Sequence, residues 1–295
     1  MRFTEQGRFT ETKHDDASVL EELEVFLQAD ARPKLIMSDF DETLCHDYVF
    51  DASTNNHTAK IDPELAAEVA KLPLIIATAT RAMHPKIQQI RDSGMVQSSG
   101  VLVAENGGVI IGRDGDIRWS AVEDGTIDIL HEQIIEELPE LFTMPQDMKL
   151  VAKRGLTLMV LRAQKDNGHP DRRIQADLQA ALQTIVGEQW LVVDGGRSLS
   201  VQPPGVSKIG SLAHTGIETE DYCTVGIGDG ANDINILKAA DVAVSVGERI
   251  AEHADLVVGA NTEQITAVLK SIGRTTLGFA GLHKQNNTGR KKDES

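Results

Sequence analysis

No apolar run in these 295 residues approaches the roughly 20 needed to cross a bilayer. The first residues, MRFTEQGRFTETKHDDAS, lack the apolar stretch of a secretory signal. Cysteine is nearly absent. Cys45 and Cys223 lie among apolar residues without metal-ligand spacing, which excludes a disulfide framework and reads as two reduced, partly buried thiols in a cytoplasmic protein. Positive charge is short as well, with 29 basic residues against 45 acidic ones and a net charge of −16. A surface this acidic repels nucleic acid and anionic lipid, so neither is expected as a partner. The same field disfavours an anionic substrate, so any phosphate-handling site must gather cations locally.

What is present is an alternating rhythm. Val19, Leu23, Phe26 and Leu27 recur at helical spacing, and Pro33 closes that helix. Leu35-Ile36-Met37 reads as a buried parallel strand ending in Ser-Asp-Phe-Asp. Asp62-Pro63 caps a helix, Leu74–Ala77 is a second strand, a helix runs from Pro85 to near Gly94, and Val101–Val103 is a third strand. The alternation predicts a doubly wound α/β sheet. After Glu105-Asn106-Gly107-Gly108 the rhythm changes to hairpin signals at Arg113–Asp116, Lys153–Gly155 and Asp194–Gly196, with two helical patterns among them. From SKIGSLAHTG, expected as a helix, the α/β rhythm resumes. The expected organisation is an N-terminal helical extension (1–30), a split Rossmann-like parallel core (31–111 and 201–275), an α+β insert (112–200) and a disordered tail (276–295).

Two acidic clusters carry the chemistry. Asp39-Phe40-Asp41-Glu42-Thr43 ends the first strand, where open α/β sheets bind ligands. Two carboxylates two residues apart suit a division of labour, with Asp39 an ionised nucleophile and Asp41 an acid and then a base. Gly226–Asp233, reading GIGDGAND, again follows an apolar strand, and Asp229 and Asp233 offer hard oxygens for Mg²⁺. Asp and Asn interrupt the G-x-G-x-x-G needed for a dinucleotide fingerprint. Lys208, in PPGVSK ahead of an expected helix, makes better sense as a cation directed at phosphate than as a solvated lysine. A hydroxyl from Thr78 or Thr80 could donate to the same phosphate, with Arg81 a weaker candidate. His46 follows the nucleophile loop closely enough to lie near substrate.

Together the pieces read D-x-D-x-T, a strand-end Thr, Lys, then G-D-G-x-N-D. This order and spacing resemble the haloacid dehalogenase-like phosphatase superfamily, with the insert in the position of a C2-type cap. That placement is similar to the branch of Cof-type, sucrose-phosphate and trehalose-phosphate phosphatases, and Glu105-Asn106-Gly107-Gly108 resembles the Asn-Gly turn of the Cof-type members. The resemblance implies that Asp39 is the nucleophile and Asp41 the acid/base. It places Mg²⁺ on Asp39, the Asp41 carbonyl, Asp229 and Asp233. It assigns Thr43 to the loop and to phosphate binding, with Thr78 or Thr80, Arg81, Lys208 and Asn232 as further phosphate or substrate contacts. Thr80-Arg81 stands where the family often has Thr-Gly-Arg. Arg154–Leu158 is similar to a segment of trehalose-phosphate phosphatases, but Leu161 occupies the stretch of the usual His and Gln202 replaces a frequent Arg, which argues against trehalose phosphate.

The expectation is a Mg²⁺-dependent phosphomonoester hydrolase for a small phosphate ester, a sugar phosphate or related polyol. A sugar phosphomutase with the same nucleophile is the alternative. A non-catalytic module on this fold would show a broken acidic motif, and both motifs are intact. In the insert, Lys153, Arg154, Arg162 and Arg197 are cations that could meet a substrate above the phosphate.

Overall fold

The computed structural model describes residues 13–14, 17–51, 56–165, 172–195 and 198–276. Residues 277–295 of the expected tail, and Arg197, lie outside these residues. In chain order the elements begin with β1 (Lys13–His14), α1 (Ala17–Ala29), β2 (Lys34–Ser38), β3 (Tyr48–Asp51), β4 (Asn56–Ala59), α2 (Pro63–Val69) and β5 (Leu74–Ala77). There follow α3 (Pro85–Asp92), β6 (Val101–Ala104), β7 (Val109–Gly112), β8 (Ile117–Ser120), α4 (Thr126–Leu141), β9 (Met148–Arg154), β10 (Met159–Lys165) and α5 (Arg172–Val186). The chain closes with β11 (Leu191–Asp194), β12 (Leu199–Gln202), β13 (Cys223–Gly228), α6 (Ile234–Ala239), β14 (Val242–Val246), β15 (Leu256–Val258) and α7 (Thr262–Thr275).

A nine-stranded sheet has the order β1-β15-β14-β13-β2-β5-β6-β7-β8. Every pairing from β1 to β6 is parallel, and β7 and β8 add an antiparallel hairpin at the edge. β2 lies between β13 and β5, so the three strand ends that carry the two acidic clusters and Thr78 open on one edge of the sheet. Buried on both faces, these strands read as continuous apolar runs rather than alternating ones. The helices follow from local chemistry. Asp62 accepts hydrogen bonds from the Glu64 and Leu65 amides ahead of Pro63 at the first helical position. In α7, Ile265, Val268, Leu269 and Ile272 make a buried stripe.

The second sheet is separate, with four antiparallel strands in the order β11-β12-β10-β9. One face packs on α4 and α5 through its own apolar core, where Met159, Leu161 and Val201 meet Ile134, Leu138, Leu178 and Leu182. Where the sequence reading starts the insert at residue 112, Ile117–Ser120 instead continues the large sheet. The turn at Asp114-Gly115 folds β8 back on β7, pairing Trp119 with Ile110. The expected helix after Ser207 is also different, since Gly210–His214 winds only as a 3₁₀ turn. Among the described residues no helix is long and apolar enough to cross a membrane.

Candidate active site

The loop after β2 turns sharply. The Leu44 and Cys45 amides both donate to the Phe40 carbonyl, at 3.0 and 2.9 Å, and Glu42 takes φ 58°, in the left-handed region. Phe40 is fully buried in the main core. Anchored there, it leaves its two neighbours, Asp39 and Asp41, at the strand-end edge, each with its own set of partners.

Asp39 shares a buried cluster with Asp229 and Asp233, with one carboxylate oxygen of each lying within 4.8 Å of those of the other two. Lys208 is 2% exposed. Its Nζ donates to Asp39 Oδ1 and, at 2.7 Å, to Asp233 Oδ1. The other Asp233 oxygen accepts the backbone amides of Asp229 and Gly230, at 3.2 and 3.0 Å. That fold-back needs Gly228, where a Cβ would lie 2.3 Å from Asp233 Cβ. Asp229 accepts from Thr43 Oγ1 at 3.2 Å and pairs with Arg249 at 3.0 Å, and the Arg249 side chain is 68% exposed. The Thr43 hydroxyl is thus committed to a carboxylate in a fully buried position. In this arrangement it braces Asp229.

The electrostatics of this cluster are short of positive charge. Burial pushes Asp39 well above the ordinary carboxylate range, and repulsion from Asp233 and Asp41 adds to it against the pull of Lys208. Burial and then Asp233 push Asp229 up to about 6, with Arg249 and Thr43 opposing. Lys208 is raised despite its burial, because Asp233 and Asp39 favour the ammonium. Three buried carboxylates against one buried ammonium fit a divalent cation, and hard oxygens at strand and loop ends suit Mg²⁺. Asp39, Asp229 and Asp233 would each offer it one oxygen.

The Asp41 carboxylate belongs to a different set. Lys86 Nζ donates to Asp41 Oδ1, and the Tyr48 hydroxyl donates to the same oxygen at 3.0 Å. Thr78 and Thr80 hydroxyls donate to Asp41 Oδ2 at 3.1 and 2.9 Å. Burial would raise Asp41, but the charge and hydrogen bond of Lys86, with those of Thr80 and Tyr48, outweigh it and hold the carboxyl below its usual range. Both candidate threonines therefore reach the same oxygen; Thr78 is fully buried and Thr80 is partly open. His46 is half-buried, and its Nε2 has no hydrogen-bond partner.

Arg81 and Asn232 join the second sheet's connections rather than the carboxylate cluster. Arg81 Nη1 donates to the Arg154 carbonyl at 3.1 Å, across from the core to β9. Asn232 Nδ2 donates to Asn106 Oδ1 at 3.4 Å, and Asn106 Nδ2 donates to Gln202 Oε1 at 3.0 Å. Gln202, standing where the resembled family often has Arg, is buried in this amide chain. Leu161 packs into the core under α4 and α5, so no side chain at that position would face substrate.

Sequence reasoning missed Lys86, Tyr48, Glu105 and Arg249. Lys86 carried a usable signal, because a lysine one residue after the Pro85 helix start is electrostatically unfavourable, the same argument that singled out Lys208. Glu105, Asn106 and Gly107 take φ 55°, 56° and 102° in succession. That left-handed run tucks Gly107 so close to Ser207 that a Cβ would lie 2.1 Å from its carbonyl oxygen.

Residues 153–272 match the family model of haloacid dehalogenase-like hydrolases. No curated protein matches the chain by sequence. Among solved structures, the C-terminal domain of a C. albicans trehalose-6-phosphate phosphatase has a TM-score of 0.62 at 14% identity, covering 90% of this chain and 98% of that one. A haloacid dehalogenase-like hydrolase from Bacteroides thetaiotaomicron has a TM-score of 0.59 at 15% identity, covering 82% of this chain and 100% of the other. A subclass IIB sugar phosphatase of the same superfamily gives 0.55 at 14% identity, over 81% and 99% of the two chains.

Proposed function

We propose that this chain, haloacid dehalogenase-like in its fold and in its family-model match, is a phosphomonoester hydrolase that forms an aspartyl-phosphate on Asp39. The observation that carries the reading is the bridge of Lys208 between buried Asp39 and Asp233 beside Asp229. It sets a nucleophile, a phosphate-seeking cation and a cation-poor carboxylate cluster at one strand-end crevice. Sugar phosphates are the favoured class, because the structural relatives include proteins named as trehalose-6-phosphate and sugar phosphatases, and because the separate sheet can act as a cap over the leaving group.

An Asp39 oxygen attacks phosphorus in line, the bond from phosphorus to the leaving oxygen breaks, and that oxygen takes up a proton. Lys208 stays against the attacking carboxylate and shifts its charge toward the equatorial oxygens as Asp39 loses its own. Mg²⁺, held by Asp39, Asp229, the Asp41 carbonyl and, directly or through water, Asp233, would neutralise the same oxygens. The proton comes from the Asp41–Lys86 pair: Asp41 rests as a carboxylate, and the pair carries its proton on the ammonium. In the second half Asp41 takes a proton from water, which attacks phosphorus and releases phosphate with Asp39 restored.

Asp39→Asn, nearly isosteric, should fold normally and release no phosphate from sugar phosphates or para-nitrophenyl phosphate in the presence of Mg²⁺. EDTA should silence the wild type, and Mg²⁺ should restore it. Substantial turnover by Asp39→Asn removes Asp39 from the chemistry; full wild-type activity after EDTA dialysis removes the metal.

A further inference from the structure

The segment that joins β5 to α3 ends in a tight turn held from two sides. The His84 amide donates to the Arg81 carbonyl at 2.9 Å, and the Ala82 amide donates to Glu105 Oε1 at 2.7 Å. Glu105 also accepts the Leu156 and Thr157 amides between β9 and β10, and Arg81 Nη1 donates to the Arg154 carbonyl. The turn therefore lies where the strand-end edge of the core meets the second sheet. On the core side, Thr80 and Lys86 flank it, and both donate to Asp41. His84 closes the turn and caps α3, a position that usually falls to Ser, Thr, Asp or Asn. Its Nδ1 accepts the Lys86 amide at 3.1 Å, around Pro85 at the start of the helix.

That hydrogen bond fixes the tautomer. A ring nitrogen that accepts an amide N–H carries no proton, so the hydrogen of the neutral imidazole is on Nε2. The two nitrogens diverge across the ring, so with Nδ1 turned back on the helix start, Nε2 points away from α3. The start of α3 follows the C-terminal end of β5, the neighbour of β2, and beyond it lies the strand-end crevice. His84 is only partly buried, and among the described residues its Nε2 has no hydrogen-bond partner. We infer that His84 is a substrate contact, whose Nε2–H donates to a hydroxyl or ring oxygen of the leaving group between Asp41 and the second sheet. The inference rests on the phosphatase reading and adds to it a residue that selects the leaving group. Burial, and then the charges of Lys86, Arg81 and Lys153, outweigh the pull of Asp41 and hold His84 down at about 4. Near neutral pH the ring is therefore an uncharged donor with its hydrogen in a fixed place. Such a donor discriminates through what it loses when unpaired: once the site excludes water, a leaving group with no oxygen to offer it is disfavoured.

Two substitutions separate the cap from the contact. His84→Asn keeps an acceptor where Nδ1 stood and is a preferred cap, but it loses the Nε2–H. His84→Gln can set an amide N–H near the place of Nε2, but it is a poor cap. Phosphate release with Mg²⁺ is measured on glucose 6-phosphate, mannose 6-phosphate and sorbitol 6-phosphate, with para-nitrophenyl phosphate as reference, and thermal unfolding is followed in parallel. His84→Asn should unfold at the wild-type temperature and lose about 3–10-fold in kcat/KM on the best sugar ester, the worth of one hydrogen bond, with para-nitrophenyl phosphate unchanged. His84→Gln should unfold earlier and yet recover part of the ratio of sugar ester to para-nitrophenyl phosphate. Nitrogen NMR of the wild-type ring at pH 7 should show the hydrogen on Nε2, whether or not either variant folds. Equal losses on both kinds of ester, an unchanged ratio in His84→Asn, a ratio in His84→Gln no better than in His84→Asn, or a protonated Nδ1 overturns the contact. If para-nitrophenyl phosphate is hydrolysed and none of the sugar esters is, the contact is overturned while the phosphatase stands. If no ester releases phosphate, the phosphatase reading fails and the inference falls with it.

Discussion

Glu105→Gln should loosen the join between the core and the second sheet. The Glu105 carboxylate is fully buried. One oxygen accepts the Ala82 amide at 2.7 Å and shares the Leu156 amide at 3.0 Å. The other accepts the Leu156 amide at 3.0 Å, the Thr157 amide at 2.7 Å and the Thr157 hydroxyl at 2.9 Å. A glutamine must present NH₂ on one side, so it turns a donor against at least one or two backbone amides whichever way it flips. Each buried group left unpaired costs about 1–3 kcal/mol. Removing a buried charge returns part of this, which puts the net loss near 2–4 kcal/mol of a typical total of about 5–15. Urea unfolding supplies the stability, and amide exchange at Leu156 and Thr157 supplies the location. Because Glu105 ties the turn between β9 and β10 to the residue after Arg81, exchange there should accelerate even under native conditions. A loss below about 0.5 kcal/mol with unchanged exchange at both amides would refute this account of the join.

Lys208→Met leaves Asp39 and Asp233 buried without their shared cation, so it should abolish turnover and destabilise the metal-free protein by about 3–5 kcal/mol, read by thermal or urea unfolding. Because Asp229 is pushed up to about 6, its protonated fraction grows as pH falls through that value. Mg²⁺ affinity should therefore be flat above pH 7 and weaken roughly tenfold per pH unit below 6, measured calorimetrically; a pH-independent constant from 5 to 7 would exclude Asp229 as a ligand. Lys86→Met should slow alkyl phosphates by about 100-fold or more but para-nitrophenyl phosphate far less, since nitrophenolate leaves without a proton. Equal losses on the two esters would take Lys86 out of proton transfer.

The parallel core was legible because its strands are buried on both faces, so Leu74–Ala77 and Val101–Ala104 read as unbroken apolar runs ending in polar residues. The Asp39, Asp229, Asp233 and Lys208 cluster was legible for a related reason. Each member sits at the end of such a run or in a glycine-marked turn, where a charged residue has few structural uses. The strand Ile117–Ser120 continues the large sheet although the sequence reading starts the insert at 112, because a turn signal fixes that two strands pair, not which sheet they extend. Lys86 and Glu105 were hidden for another reason. Their partners, Asp41 at 45 residues' separation and Thr157 at 52, come from other elements, and periodicity carries no information about such contacts. Tyr48 lay on a short hairpin that the pattern did not mark at all.

The acidic balance of the chain and its proposed chemistry are reconciled by where the cations are placed. Lys208 and Lys86 are each buried against a carboxylate at the strand-end edge and hold Asp39 and Asp41 in place. Neither projects a positive field into solvent that would attract phosphates indiscriminately. On the proposed reading, a divalent cation held by the three-carboxylate cluster would ease the pull of Asp39 and Asp233 on Lys208 and let the ammonium turn part of its charge to phosphate oxygens. On that reading, metal and phosphate would thus be recognised by different charges in one crevice, and the net charge of −16 would discourage anions that meet only one of the two.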